Sequence, residues 1–229
     1  MENESIVLRT EKKYEISHFT AAQLKFKLST TLKKDINNKG NGYMVRSLYF
    51  DTLYDNDYND KENGIENRRK IRLRIYDPTS KTLKLELKQK QGENQLKRSL
   101  TISKETAEKL IKGDYDSLRE YESELANELA YIMKKEFYRP KCIVEYDRLA
   151  YIVKENSTRI TIDSNIRSTE ANFDLFSSDL ALIPINSIKV LEVKYDNFLL
   201  SYIKDVINIA NKTQISISKY YLARQMRYF

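Results

Sequence analysis

Charge recurs at every second residue in several short stretches of this 229-residue chain. The clearest are Arg9-x-Glu11-x-Lys13, Lys70-x-Arg72-x-Arg74, Lys84-x-Glu86-x-Lys88-x-Lys90, Arg159-x-Thr161-x-Asp163 and Glu192-x-Lys194, with Lys97-x-Ser99 and Tyr146-x-Arg148 beside them. Residues two apart share one face of a β-strand. Each stretch therefore sets its charges on one face and mostly Ile, Leu, Val or Tyr on the other. Same-face side chains step by about 6.6 Å, the reach needed to follow a row of phosphates. Arg grips phosphate through paired hydrogen bonds, and Lys supplies a mobile point charge. Glu11, Glu86 and Glu192 interrupt the cations. Two roles stay open for them: pairing with neighbouring Lys and Arg, or holding Mg2+ or Mn2+, which bind hard oxygen ligands and bridge phosphates.

The remaining composition narrows the chemistry. One histidine, His18, leaves Ser-His-Asp catalysis a single candidate and rules out a zinc cluster. His18 stands just before a helix-like stretch and reads as a surface or capping residue. With five glycines and no G-x-x-x-x-G-K-[ST] run, no backbone loop cradles phosphate. Side chains must hold it. Cys142 is the one cysteine, so no internal disulfide can form, in keeping with a reducing compartment. No apolar run approaches a membrane span, and the first residues lack a signal-peptide pattern. A cytoplasmic location is expected. A net charge of +7 points to polyanionic partners. No aromatic platform for RNA is visible, so a specific nucleic acid is not expected.

Strands must position these charges. Alternation predicts them over 6–16, 43–50, 66–76, 81–91, 95–102, 142–153, 158–166 and 187–196. Helical spacing predicts helices over 20–34 behind a Thr20 cap, from Ser103 to near Gly113, and over 118–137, 199–211 and 219–227. Strands dominate, which makes an antiparallel α+β domain. For any single strand, a wet charged face is the simpler reading. Together, the run of cations at Lys70, Arg72 and Arg74 and the apolar backing of Ile71, Leu73, Ile75, Leu83, Leu85 and Leu87 favour enclosure. An antiparallel β-barrel with flanking helices would bury the apolar faces outward and the charges inward. Enclosed cations are costly unless an anion neutralises them.

The order of motifs is distinctive. Arg46-Ser-Leu-Tyr-Phe-Asp-Thr52, the Arg68 to Tyr76 run, Leu85-Glu86-Leu87-Lys88, Glu145-Tyr-Asp-Arg148-Leu-Ala-Tyr151, Arg159-Ile-Thr-Ile-Asp163, Val190-Leu-Glu-Val-Lys-Tyr-Asp196 and Ser218-Lys219-Tyr220 follow one another. This series resembles the VTC domain, the catalytic domain of polyphosphate polymerases, within the triphosphate tunnel metalloenzyme (CYTH-like) fold. The resemblance covers nearly the whole chain and implies one tunnel domain over 1–229. It implies that a nucleoside triphosphate, ATP foremost, donates its terminal phosphate to a growing polyphosphate chain with Mn2+ or Mg2+. It assigns phosphate contacts or catalysis to Arg72, Arg74, Lys88, Arg148 and Arg159, and phosphate binding to Lys13, Lys97 and Lys219. Lys70 and Lys194 join these from the charge pattern. Glu192 matches the metal-binding glutamate, with Glu86 and Glu11 as further candidates.

Two positions depart from the family pattern, the second on an outer face with no expected effect, and a third separates the chain from triphosphatases of the fold. Ser216 stands where the family often has a second basic residue, which weakens one phosphate contact. Glu86-Leu-Lys replaces the commoner Glu-Arg-Lys. Arg9 replaces the first glutamate with which triphosphatases of this fold usually begin, and that exchange favours a longer anion. The alternatives are a tunnel-fold triphosphatase, and a non-catalytic polyphosphate- or RNA-binding module. A membrane partner stays open, and the oligomeric state has no signal in the sequence.

Overall fold

A computed structural model of the chain describes residues 4–8, 10–38, 40–91, 94–154, 156–185, 188–208, 212–216 and 218–226. Alternating runs become strands: β1 (Glu4–Leu8), β2 (Thr10–Ile16), β3 (Lys33–Lys34), β4 (Tyr43–Asp51), β5 (Arg68–Ile75) and β6 (Thr82–Gln91). The others are β7 (Asn94–Ser103), β8 (Arg139–Val153), β9 (Thr158–Thr169), β10 (Ile183–Pro184), β11 (Lys189–Tyr195) and β12 (Lys212–Gln214). The helices are α1 (His18–Thr31), α2 (Asn56–Glu62), α3 (Lys104–Ile111), α4 (Glu124–Lys135), α5 (Ser201–Asn208) and α6 (Lys219–Gln225).

One sheet runs β1-β7-β6-β5-β4-β8-β9-β11-β2-β12, with β3 on β8 and β10 on β9. Its pairs are antiparallel. β1 stands at one end of this order and β2 close to the other, yet a single residue separates them in the chain. That residue, Arg9, lies outside the described residues. Two trans peptide steps span at most about 7.6 Å, so the sheet must curl until its ends meet. The expected β-barrel is thus present as a curved, tunnel-like sheet. Among the described residues its hydrogen-bonded ladder does not close.

The apolar faces point outward, under helices. Leu73, Leu85 and Leu100 pack beneath α3 and α4 through Leu110, Leu125 and Leu129. Ile160, Ile162, Leu191 and Val193 pack beneath α1 and α5 through Leu24, Leu28, Ile203 and Ile207. Burying each such side chain contributes about 1.5–3 kcal/mol. This sum, taken on the outside, turns the charged faces inward. A third cluster sits on the inner face itself. Val45, Tyr49, Cys142, Val144 and Tyr146 pack there against Tyr58 of α2 and Tyr220 of α6. The two helices therefore close part of the concave side.

Gly42 leads into β4 with φ 129°, and a Cβ there would lie 2.4 Å from the Arg148 carbonyl oxygen. Only glycine allows this approach of the β4 entry to β8.

Several boundaries differ from the sequence-based expectation. α1 is capped by Ser17, whose side chain accepts from Thr20 N at 3.0 Å, so Thr20 lies inside the helix. Phe26 is exposed, because Ala21, Leu24 and Leu28 form the inward stripe. The helix expected over 118–137 is split into a 3-10 turn, Asp116–Glu120, and α4, whose own cap is Ser123. Between the strands expected over 81–91 and 95–102 the sequence Gly92-Glu93-Asn94 reads as a turn; Gly92 and Glu93 lie outside the described residues, and Asn94 already begins β7. No helix among the described residues is long and apolar enough to cross a membrane. His18 opens α1 and is exposed, as expected of a surface residue.

Candidate functional site

Strand register decides which charges meet. On one wall, Arg72 stands opposite Tyr49 of β4 and Glu86 of β6. Arg72 donates to Glu86 through Nε at 2.6 Å and to the Tyr49 hydroxyl through Nη1 at 2.9 Å. Lys97 donates to the other Glu86 oxygen at 2.9 Å, and Arg74 approaches it at 3.6 Å. Burial would raise the Glu86 carboxyl, but Arg72 and Lys97 outweigh it and hold it at about 2. Next along the same strands, Lys70 stands directly opposite Lys88, and Lys88 opposite Lys97. Lys70 donates to Ser218 Oγ at 2.7 Å, just ahead of α6. Burial, with Lys13, Arg68 and Lys61 nearby, lowers Lys70 to about 7. Glu11 pulls Lys88 up, but burial together with Lys194, Arg72 and Lys13 brings it to about 7 as well.

The other wall carries the remaining carboxylates. Glu192 stands opposite Lys13, and Lys194 opposite Glu11 on β2 and Arg159 on β9. Glu11 pairs with Lys13 at 2.8 Å, Lys194 at 3.6 Å and Lys88 at 3.7 Å, the last from β6 across the enclosed space. Glu192 pairs with Arg148 at 3.1 Å and Lys194 at 3.4 Å. Burial and mutual repulsion push Glu11 up, but Lys13, Lys88 and Lys194 prevail and keep it low. Burial likewise opposes ionisation of Glu192, and Lys194 and Arg148 hold it well below the usual carboxylate range.

Arg148 is fixed from behind. It makes two hydrogen bonds to Asp163, 2.7 and 2.8 Å, and Lys219 reaches the same carboxylate at 2.6 Å. The Tyr146 ring lies 5.2 Å from the Arg148 guanidinium and 4.5 Å from Lys219 Nζ, within cation–π range. Asp163 is fully buried. It belongs to an alternating stretch, but its anchoring role depends on partners far away in sequence. The sequence therefore gives no local sign of it. Lys61 of α2, outside every alternating stretch, also lines the site. It donates to Ser216 Oγ at 3.2 Å, placing a cation beside the position where the C-terminal segment lacks one.

The space between the walls forms two adjoining cavities that share Arg74, Lys88, Gln95, Arg148 and Lys194. Lys13, Lys70, Arg72, Glu192 and Lys219 line the first, and Glu11, Lys97 and Arg159 the second. Glu11 and Glu192 are the carboxylates among the described lining residues. Arg74 and Arg159 each bury an Nε with no acceptor. Of the residues selected from sequence, Glu86 lies outside both cavities. Its oxygens are taken by Arg72, Lys97 and Arg74, which leaves Glu11 and Glu192 as the carboxylates facing the enclosed space. No cluster of three or more His, Cys, Asp or Glu among the described residues could hold a metal. Two ionised carboxylates do suit Mg2+ or Mn2+ when phosphate oxygens complete the coordination. Glu11 and Glu192 are such a pair. Arg9 cannot be placed, being outside the described residues.

The profile of the VTC domain matches residues 8–228. Comparison with curated protein sequences finds no match. Among solved structures, an adenylyl cyclase candidate of Hippeastrum with a dominant triphosphatase activity is similar at 13% identity and TM-score 0.60, over 95% of this chain and 96% of that one. An adenylate cyclase candidate of Bacillus halodurans is similar at 14% identity and TM-score 0.55, over 99% of both chains. A chain in the Mediator head module of Schizosaccharomyces pombe is similar at 9% identity and TM-score 0.50, over 91% of this chain and 100% of that one. At these identities the likeness is one of fold. A fold that also serves in the Mediator head does not fix an activity, so the lining residues must carry the argument.

Proposed function

The chain belongs to the VTC domain family, and on that premise we propose that it is a polyphosphate polymerase. The supporting observation is an enclosed cationic passage in which Arg74 and Arg159 bury unpaired Nε donors and Lys70 faces Lys88. Such a passage is stable once an extended polyanion occupies it, since buried cations need counter-charge. Its partners are a nucleoside triphosphate, ATP foremost, and polyphosphate.

In this reading, an oxygen of the acceptor's terminal phosphate attacks the γ-phosphorus of the donor. The bond from that phosphorus to the β–γ bridging oxygen breaks, and the nucleoside diphosphate leaves with the electron pair. The chain grows by one phosphate. Arg72, Arg74, Arg148 and Arg159 hold phosphate oxygens and oppose the charge that develops on them. Arg72 is kept in place by Glu86 and Tyr49, and Arg148 by Asp163. Lys13, Lys70, Lys97, Lys194 and Lys219 neutralise the phosphates on either side, while Lys88 sits where the two cavities meet. Mn2+ or Mg2+, held by Glu192 and Glu11, would supply charge neutralisation where phosphates meet the carboxylate wall.

A tunnel-fold triphosphatase is the second reading. Lys88 favours it, because an amine titrating near 7 beside the Glu11 carboxylate can accept a proton from water. One experiment separates the readings. Purified chain is incubated with ATP and Mn2+ or Mg2+, and products are run on a polyacrylamide gel alongside a free-phosphate assay. The polymerase reading expects long polymer and nucleoside diphosphate. Free phosphate without polymer would replace it with the hydrolase, and neither product would leave a binding module. Arg72→Ala or Arg74→Ala should lower turnover by about 100-fold. Glu192→Gln should abolish metal-dependent turnover with the fold intact, and full activity in that variant would remove its metal role.

A further inference from the structure

The two ends of the passage differ in chemistry. β5 begins at Arg68, which stands opposite Lys90 on β6. Both line the first cavity together with Lys61. At its far end β5 stops at Ile75, and the next residue, Tyr76, meets the Tyr43 ring at the start of β4. The ring centroids are 5.8 Å apart, edge to face at 65°. Both rings line the second cavity with Arg74 and Arg159. Tyr43 is fixed, because its hydroxyl accepts from Arg159 Nη2 at 2.8 Å and Arg159 is itself paired with Asp35 at 2.6 Å. Tyr76 keeps 50% of its surface exposed, a large uncovered ring at the mouth of a highly charged passage.

This asymmetry matches one kind of ligand. Polyphosphate is anionic along its whole length. A nucleoside triphosphate has an aromatic base at one end and phosphates at the other. Tyr76 precedes a row, Arg74, Arg72 and Lys70, that recedes from it in same-face steps of about 6.6 Å. We propose that Tyr76, braced by Tyr43, seats the nucleobase of the donor, with the triphosphate running inward past Arg74 and the polymer lying toward Arg68, Lys61 and Lys90. Every base has a π-face, so the seat discriminates weakly among nucleobases but strongly between a nucleotide and a bare phosphate chain. The inference rests on the phosphate-passage reading above and gives it a direction.

The test compares binding of ATP and of inorganic tripolyphosphate, without divalent metal, by isothermal titration calorimetry. Tyr76→Leu keeps apolar bulk and removes the ring. It should weaken ATP by about tenfold and leave tripolyphosphate unchanged. Tyr76→Phe keeps the ring and should retain both affinities. A Tyr76→Leu variant that loses both ligands equally, or neither, would overturn the nucleobase seat while the passage itself stands. If the unaltered chain binds neither ligand, the passage reading fails and takes the seat with it.

Discussion

Lys70 and Lys88 oppose each other across a strand pair and both titrate near 7. Their folded values lie below the free-lysine value of 10.5, so each is charged below pH ~7 and neutral above it. Between ~7 and 10.5 the unfolded chain binds more protons, and these lysines make the ligand-free protein more stable as pH rises. An anion between them reverses the preference and draws protons in. We expect tripolyphosphate binding at pH 7.5 to take up protons and to weaken as pH climbs further. Titration heats should therefore change with the ionisation enthalpy of the buffer, and Lys88→Met should reduce that dependence. Equal heats in every buffer would refute the coupling. The alternation itself was legible, because a period of two is a local property. The pairings were not. In sequence Glu86 looks equivalent to Glu11 and Glu192, and only strand pairing sets it opposite Arg72 and within reach of Lys97. Asp163 is the converse case, a residue in the pattern whose importance comes from Arg148 and Lys219.

Strands were easier to read than helix ends. β5 and β6 fall within a residue or two of their expected bounds, because their alternation is uninterrupted. The 118–137 segment misleads, because Leu118, Leu125, Leu129 and Met133 keep helical spacing across a break. The break comes from Ser123, which accepts from Ala126 N at 3.3 Å and so starts a fresh helix. The entry to β4 is a second feature with no periodic signature. Gly42 lets Tyr43 lie opposite Arg148, which sets an aromatic of the second cavity against the neighbouring strand that carries a central arginine. Gly42→Ala introduces both a disfavoured φ and a clash with the Arg148 carbonyl. We expect a loss of about 1–3 kcal/mol in urea unfolding, with weaker phosphate binding because Arg148 is displaced. Unchanged stability would mean that the entry to β4 is free to shift.

At the scale of the whole molecule, the surplus of cations could be counted in the sequence and the apolar backing of the strands already favoured its enclosure, but the means of enclosure had no local sign. Enclosure depends on two helical layers covering the outer faces and on β1 and β2 lying at one end of the strand order and next to the other. A passage lined with cations should be steadied by whatever fills it. We expect the melting temperature to rise from pyrophosphate to tripolyphosphate to longer chains, to level off once the passage is full, and to fall back at high salt. A rise independent of chain length would point to a surface site instead. In a barrel whose ladder closes, strand number and stagger fix the bore. Here, among the described residues, the ladder stops short, and Glu11 on β2 reaches Lys88 on β6 at 3.7 Å across the enclosed space. The wall is a split ring, and that contact bridges two strands that no backbone ladder joins. On the passage reading, a phosphate drawn to Lys88 would compete with Glu11 for it, so loading would act on the same contact that links the two walls.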